Sequence, residues 1–515
     1  MELSSPSSPL SKDLGAATTE RGARVTKPVH SWLRHICVAA VPGAATPLAE
    51  GLIQELLRFF QLLGHTVQSA PDDRTDVILT SARFGEPVPW REALLFSARR
   101  RFGLSHMPTL YTLVHVPSSA FHRLLDHFQV ALAKEPPDPG DYVFPGLAPQ
   151  AYRVLWEQSR RGGPILALER LVQAQAKSIR VLLAVGDERP EAVYHFDLVG
   201  AYPRSDAQAH DFYEDIVLRI VTTVSTSEVT YHQTVGTPIP QDLWESLSTP
   251  ASMCVAGQHL GERGFFTEMV RIADLVRVPA VADAVAEQYS EGCFATWEPM
   301  LSALIATVTG SARPVDKGKI TENDLAVIVG VRPDKRGALV RPVEGRGEVF
   351  PSSEAVEMMD MDSELPTIEL GPAWGISSPV PVVRSKLHGH RGIAAYDPRR
   401  VEFVPLDAPY YYYPVSCATG AQALGIKAAF ARSEALRAPD DPRQIVFTIL
   451  PGHGVVLAEK WVQGKAPFQV IWEAMDAGYL QVCSSIPQGP MQYTLGPDGL
   501  MHLRAETDPI IQRLR

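Results

Sequence analysis

The chain is poor in cysteine, in positive charge and in long apolar runs, and each scarcity removes a class of protein. Its 515 residues include five cysteines, Cys37, Cys254, Cys293, Cys417 and Cys483, an odd number with no CxxC spacing. That argues against a disulfide framework or a thiolate cage and predicts buried thiols in a reducing compartment. Nowhere do eighteen uninterrupted apolar residues occur, so no membrane span is expected. The first thirty residues carry Ser, Pro and mixed charge without the apolar core of a signal peptide, which predicts a disordered tail over 1–30 on a cytoplasmic protein. Lysine and arginine number 48 against 58 acidic residues, a formal net charge of −10. Such a balance leaves no basic footprint, so neither nucleic acid nor a membrane surface is an expected partner. GxGxxG, a P-loop lysine and internal repeats are also missing.

What is present suits a large folded protein. Hydrophobic residues make up 45% and charged residues 21%, enough to bury a sizeable core over two or three domains. From residue 33, "LRHICVAAVPG", "DVILTSA" and "PTLYTLVHVP" read as strands alternating with helices. One helix opens at Thr46 with Pro47 in its first position. This predicts an α/β domain over 31–135. The Pro- and Gly-dense stretch 134–146 reads as a linker. A second α/β region is expected over 147–254, with strands "IRVLLAVG", "AVYHFDLVG" and "EVTYHQTVG" and helices around 148–177 and 207–223.

The texture changes in 255–515, where an α+β domain is expected. A helix broken at Pro279 leads into "LSALIATVTG", "DLAVIVGV" and "GALVRPVEG", three apolar runs that read as sheet. Residues 418–436 read as helix, "RQIVFTILPGHGVVLAEKW" as a strand pair and "APFQVIWEAMDAGYLQVC" as a closing helix.

This last region carries the chemistry. His388 and His390 end the β-branched run "VVRSKLHGHRG", and residues two apart on a strand point to the same face. His453 follows another apolar strand in "TILPGHGVV". Three imidazoles leaving one position open suit a divalent cation that polarises a carbonyl. GHG also fits a simple turn. Upstream, "PSSE" sets Ser352, Ser353 and Glu354 in a row. Hydroxyls there can hold a phosphate and the carboxylate can move a proton, although the same residues fit a helix start. The tyrosines at 410–413 can include a proton donor or form a packed wall. His259, Glu262, Arg263 and Glu268 can face the same cleft or sit on a solvated helix start.

In the order of its motifs the region resembles the class II aldolase/adducin-type family. The TG turn at Thr309 and Gly310 is followed by "ITENDLAVI", "PSSE", "HGH", "TGAQALG" and "PGHGVV", across roughly residues 285 to 485. The resemblance implies an α/β/α domain with a mainly antiparallel sheet, following the N-terminal α/β layers. It implies zinc or another divalent cation on His388, His390 and His453, and Glu354 as acid/base. Ser352, Ser353, Thr309 and Gly310 would hold a substrate phosphate. The implied reaction is aldol cleavage, epimerisation or dehydration of a sugar or sugar phosphate through an enediolate that the cation stabilises. A homo-oligomer, usually a tetramer, is implied as well. The chain departs from the family in lacking a Gly-Asn pair before the TG turn, in the long acidic segment after Glu354, and in Arg391, which is assigned to an anionic substrate group. Two other readings fit: a non-catalytic adducin-like interaction protein, and a metal-dependent sugar isomerase using Glu291 or Glu298 as a ligand.

Overall fold

The computed structural model describes residues 27, 29–43, 46–83, 108–123, 126, 180–196, 201–228, 230–266, 292–308, 316–413, 415–483 and 491–504. The chain is mixed α/β with several sheets. The expected tail, apart from a few residues at its end, the 134–146 linker, the helix around 148–177 and nearly all of the Pro279 helix lie outside the described residues.

The first sheet contains β1 (Cys37–Ala40), β2 (Thr66–Gln68), β3 (Val77–Arg83), β4 (Thr109–Val116), β5 (Arg180–Gly186), β6 (Pro190–Phe196) and β7 (Ala201–Asp206), in the order β2-β1-β3-β4-β5-β6-β7. Pairing is parallel from β2 to β5 and antiparallel from β5 to β7. The central strands are continuous apolar runs because both faces are covered. Helix Pro47–Leu62 starts where Thr46 accepts from the Ala49 N–H at 3.3 Å, the expected cap. It shares one core with helix Phe212–Thr226.

The two expected α/β regions are therefore one sheet. Residues β5 to β7 add to its edge instead of founding a second unit, since β5 pairs along β4 from Tyr111 to Val116. The boundary at 254 also moves. The stretch read as strand "EVTYHQTVG" contributes only β8 (Gln233–Thr234), which joins the second sheet, and Ile239, Trp244, Leu247 and Met253 are buried in that sheet's core.

The second sheet orders β17-β18-β19-β15-β9-β10-β11-β12-β8. Its strands are β9 (Cys293–Glu298), β10 (Ala303–Thr307), β11 (Leu325–Val331), β12 (Ala338–Arg341), β15 (Val383–Gly389), β17 (Val401–Phe403), β18 (Ile445–Leu450) and β19 (Gly454–Lys460), with β8 at one edge. All neighbours are antiparallel except β8–β12 and β17–β18. Two short strands, β13 (Thr367–Ile368) and β14 (Val380–Pro381), pair beside it, and β16 (Gly392–Tyr396), β20 (Leu480–Cys483), β21 (Tyr493–Leu495) and β22 (Met501–Leu503) form a small sheet. The expected closing helix is shorter than the sequence suggested: it covers Gln469–Asp476 and stops at Gly478, whose φ of 75° turns the chain into β20.

Alternation sorts the side chains into layers. Phe294, Leu387, Val455 and Leu457 face one core, covered by helices Thr249–Glu262 and Gln469–Asp476. Cys293, Ala295, Val456 and Ala458 face the other side. Helices Ala355–Met361 and Gly420–Ala431 cover that second face, and the histidines lie beneath them.

Candidate metal centre

β15 lies inside the sheet, where His388 pairs with Cys293 on β9 and Val456 on β19. His390 follows one residue beyond its end, and His453 sits in the turn joining β18 to β19. Two glycines make this convergence possible. A Cβ on Gly389 would fall 2.7 Å from Phe265 Cζ, so the backbone between His388 and His390 rests directly on that ring. A Cβ on Gly454 would fall 2.8 Å from His390 Cα, so only glycine lets the second hairpin press against the end of β15.

The three imidazoles are buried, at 1%, 4% and 1% exposure for His388, His390 and His453. Their centroids are 5.1, 4.8 and 4.8 Å apart with interplanar angles of 63, 66 and 64°, close to threefold symmetry. One ligand atom from each lies within 4.8 Å of the others. His453 Nε2 and His390 Nε2 are 3.2 Å apart. Metal–nitrogen bonds of about 2.0–2.1 Å in a tetrahedron separate two nitrogens by about 3.3–3.4 Å, so the donor set fits a cation of zinc's size. His388 Nδ1 lies 3.1 Å from the Val455 carbonyl oxygen, a bond that places the proton on Nδ1 and directs Nε2 as the ligand atom. On His453, Nδ1 faces Gln422 Nε2 at 3.0 Å, while Gln422 Oε1 accepts from the Ala418 N–H at 2.9 Å.

Glu354 stands at the mouth of the helix Ala355–Met361. Ser352 donates to its Oε2, Ser353 approaches the same oxygen at 3.4 Å, and Cys417 Sγ lies 3.5 Å from Oε1. Burial pushes the Glu354 carboxyl up, but the charge of His388 and the Ser352 hydrogen bond outweigh it and hold the group below its ordinary value. One helical turn on, Glu357 is 3% exposed. Burial, then the neighbouring Glu354 charge, push it well above the ordinary range. Two adjacent carboxyls are thus driven apart, Glu354 toward the ionised form and Glu357 toward the protonated one. PSSE is both a helix start and a carboxylate cradle, since the helix begins at the next residue and its serines turn onto Glu354.

The helix is tied to the histidine strand by a buried ion pair. Lys386, two residues before His388 and on the same face, is fully buried and donates to Asp362 Oδ2 and, at 2.7 Å, to the Met358 carbonyl. Each charge is penalised by burial and each offsets the other's cost. The result fixes Glu354 relative to the rings.

Other expected residues divide. Arg391 is half-buried beside His390. Thr309, Gly310, Glu268 and Glu291 lie outside the described residues. Glu298 is at the far end of β9, where it accepts from the Met300 N–H at 2.9 Å. Five residues of strand, about 17 Å, separate it from Cys293 opposite His388. His259, Glu262 and Arg263 belong to the helix layer on the other face, where His259 stacks on Trp472 at 4.6 Å and Arg263 pairs with Asp476. Tyr410 donates to the Ala421 carbonyl at 3.0 Å and packs edge-on against His30. With Leu406, Val415, Gln422, Leu450, Pro451 and His453 it also lines a small cavity. Sequence reasoning missed five residues: Glu357, Lys386 and Asp362, which hold or neighbour the helix after Glu354, Gln422, inside the expected helix, and Cys417, counted only among the buried thiols. The cap at Thr419, which accepts from the Gln422 N–H at 3.4 Å, is the one local signal that fixes the position of the last two.

No protein-family model, no curated protein and no solved structure matches this chain.

Proposed function

We propose that the chain is a metal-dependent lyase of the class II aldolase type, acting on a hydroxyketone sugar or sugar phosphate. The observation that carries this reading is the near-threefold set of buried imidazoles with the Glu354 carboxyl held by serines beside it. His388, His390 and His453 would hold zinc or another divalent cation, which supplies Lewis acidity toward the carbonyl and hydroxyl oxygens of the substrate. The order of motifs along the chain and the mainly antiparallel sheet between helix layers support the same family.

Glu354 then works as the proton carrier. Its carboxylate takes the proton from the hydroxyl on the carbon β to the carbonyl. The bond between the α and β carbons breaks, an aldehyde leaves, and the electron pair stays with the ketone fragment. Glu354 returns the proton to the α carbon, completing cleavage. Ser352 and Ser353 orient the carboxylate, and burial beside Glu354 disfavours a second negative charge on Glu357. Lys386 and Asp362 hold the helix that carries both. The isomerase reading wants a carboxylate in the ligand set; Glu298 is too distant to provide it, and Glu291 lies outside the described residues.

Elemental analysis of the purified protein tests this first, beside a His388→Ala/His390→Ala variant. About one divalent ion per chain, lost in the variant while its circular dichroism is unchanged, is the expected result. Aldehyde release from ketose substrates by the loaded protein, abolished in Glu354→Gln, completes the test. A protein that takes up no divalent ion even when supplemented overturns the proposal and leaves a binding scaffold.

A further inference from the structure

We infer that Cys417 is the fourth protein ligand of the cation held by His388, His390 and His453, closing the resting site with sulfur until a substrate oxygen replaces it. The inference rests on the proposed cation site. Cys417 Sγ lies 3.5 Å from His453 Nε2. With a metal–sulfur bond of about 2.3 Å and a metal–nitrogen bond of about 2.0–2.1 Å, tetrahedral geometry puts sulfur and nitrogen about 3.5–3.6 Å apart. Cys417 therefore stands at ligand spacing from His453, as His390 does at 3.2 Å. The imidazoles form the set whose ligand atoms all lie within 4.8 Å of one another, and the thiol stands outside that set, between His453 and Glu354.

The second thiol near the site behaves differently. Cys293 lies directly across the ladder from His388, but its Sγ is turned onto Met358 Sδ at 3.9 Å. Cys417 is half-buried and held by its backbone. Its neighbour Ser416 donates its N–H to Thr226 Oγ1 at 3.0 Å, and its hydroxyl meets the Thr223 carbonyl at 2.9 Å, Ser227 Oγ at 3.0 Å and Arg180 Nη2 at 3.2 Å. On the other side Ala418 adopts a φ of 57° and donates to Gln422. The loop is thus fixed from both ends with its thiol directed between Glu354 and His453. Coordination forms a metal–sulfur bond and releases the S–H proton, for which the Glu354 carboxylate at 3.5 Å is the adjacent base.

Cobalt(II) replacement of the metal in the full chain reads the bond directly. Wild type should show the visible bands of a four-coordinate ion together with a thiolate-to-cobalt charge-transfer band in the near ultraviolet. Cys417→Ser should keep the visible bands, lose the charge-transfer band and bind the metal roughly 10–100-fold more weakly. Cys417→Ala serves as the second variant should the serine form not fold. Visible bands without charge transfer in wild type would overturn the role of Cys417 and leave the histidine site standing. Charge transfer that persists in Cys417→Ser places the sulfur ligand elsewhere and overturns it too. A wild type that binds no cobalt overturns this inference and the cation site together.

Discussion

Replacing Gly454 by alanine tests whether the histidines meet because two strands touch without side chains. The new Cβ would lie 2.8 Å from His390 Cα and 2.9 Å from the Gly389 carbonyl carbon, and it would overlap the carbonyl oxygen. Every neighbour is backbone, so no rotamer change relieves the contact. Carbon atoms pack at about 3.5–4.0 Å, which requires β19 and β15 to part by about 1 Å at the pair Gly389 and Val455. Overpacking of this kind costs about 3 kcal/mol, a fall in Tm of about 3 °C for a 515-residue chain unfolding as one body. The same displacement separates His390 from His453, whereas metal bonds tolerate only about 0.2 Å. Metal affinity measured by chelator competition should therefore drop along with the Tm in differential scanning calorimetry. Gly389→Ala meets a ring instead of backbone, so its cost should shrink in combination with Phe265→Ala. An unchanged Tm and metal affinity in Gly454→Ala would refute the reasoning.

Two further outcomes are expected. Gln422 Nε2 donates to His453 Nδ1, and Gln422→Glu replaces that donor by a carboxylate that draws the ring proton onto Nδ1 and leaves Nε2 as the ligand atom, the arrangement that strengthens an imidazole ligand, so metal affinity near neutral pH should rise about tenfold; a weaker affinity would show that the amide itself is required. Glu459 is 1% exposed and accepts from the Phe468 N–H at 2.8 Å and from Ser385 Oγ at 3.0 Å. Burial pushes its carboxyl from the ordinary 4.5 up to about 7. The native state thus binds more protons than the unfolded chain between those values, and the contribution to stability is complete below 4.5 and lost as pH rises through about 7. The loss is on the order of 3 kcal/mol, read as the fall in urea-unfolding free energy across that window relative to Glu459→Gln, and parallel pH profiles for the two proteins would dismiss it.

Much of the site was legible in the chain because its geometry is local. Period two on a strand fixed the common face of His388 and His390, and the hairpin pattern fixed His453 at a strand end. The start of the helix after Glu354 and the strands at β10 to β12 followed from turn residues and apolar periodicity. Long-range pairing was not legible. Nothing in the apolar run at Arg180–Gly186 tells that it lies beside β4 across a long insertion, nor that residues 233–234 leave the first sheet for the second. Register across a sheet depends on partners, not on the strand alone. Cys417 escaped notice for the same reason, since its partners are distant in sequence and spacing carried no hint of them.

Ser416 touches the end of helix Phe212–Thr226, Cys417 touches His453, and Gly420 donates to Glu228 at 3.2 Å. The five residues 416–420 thus link helix Phe212–Thr226 and its end to the ring of His453. Free energies of binding are reciprocal: any event that shifts helix Phe212–Thr226 and alters cation affinity by some factor must itself be altered, by that same factor, when the cation arrives. Should the histidines hold a cation, the helix that packs on the first sheet would be a thermodynamic partner of that site without contributing a ligand.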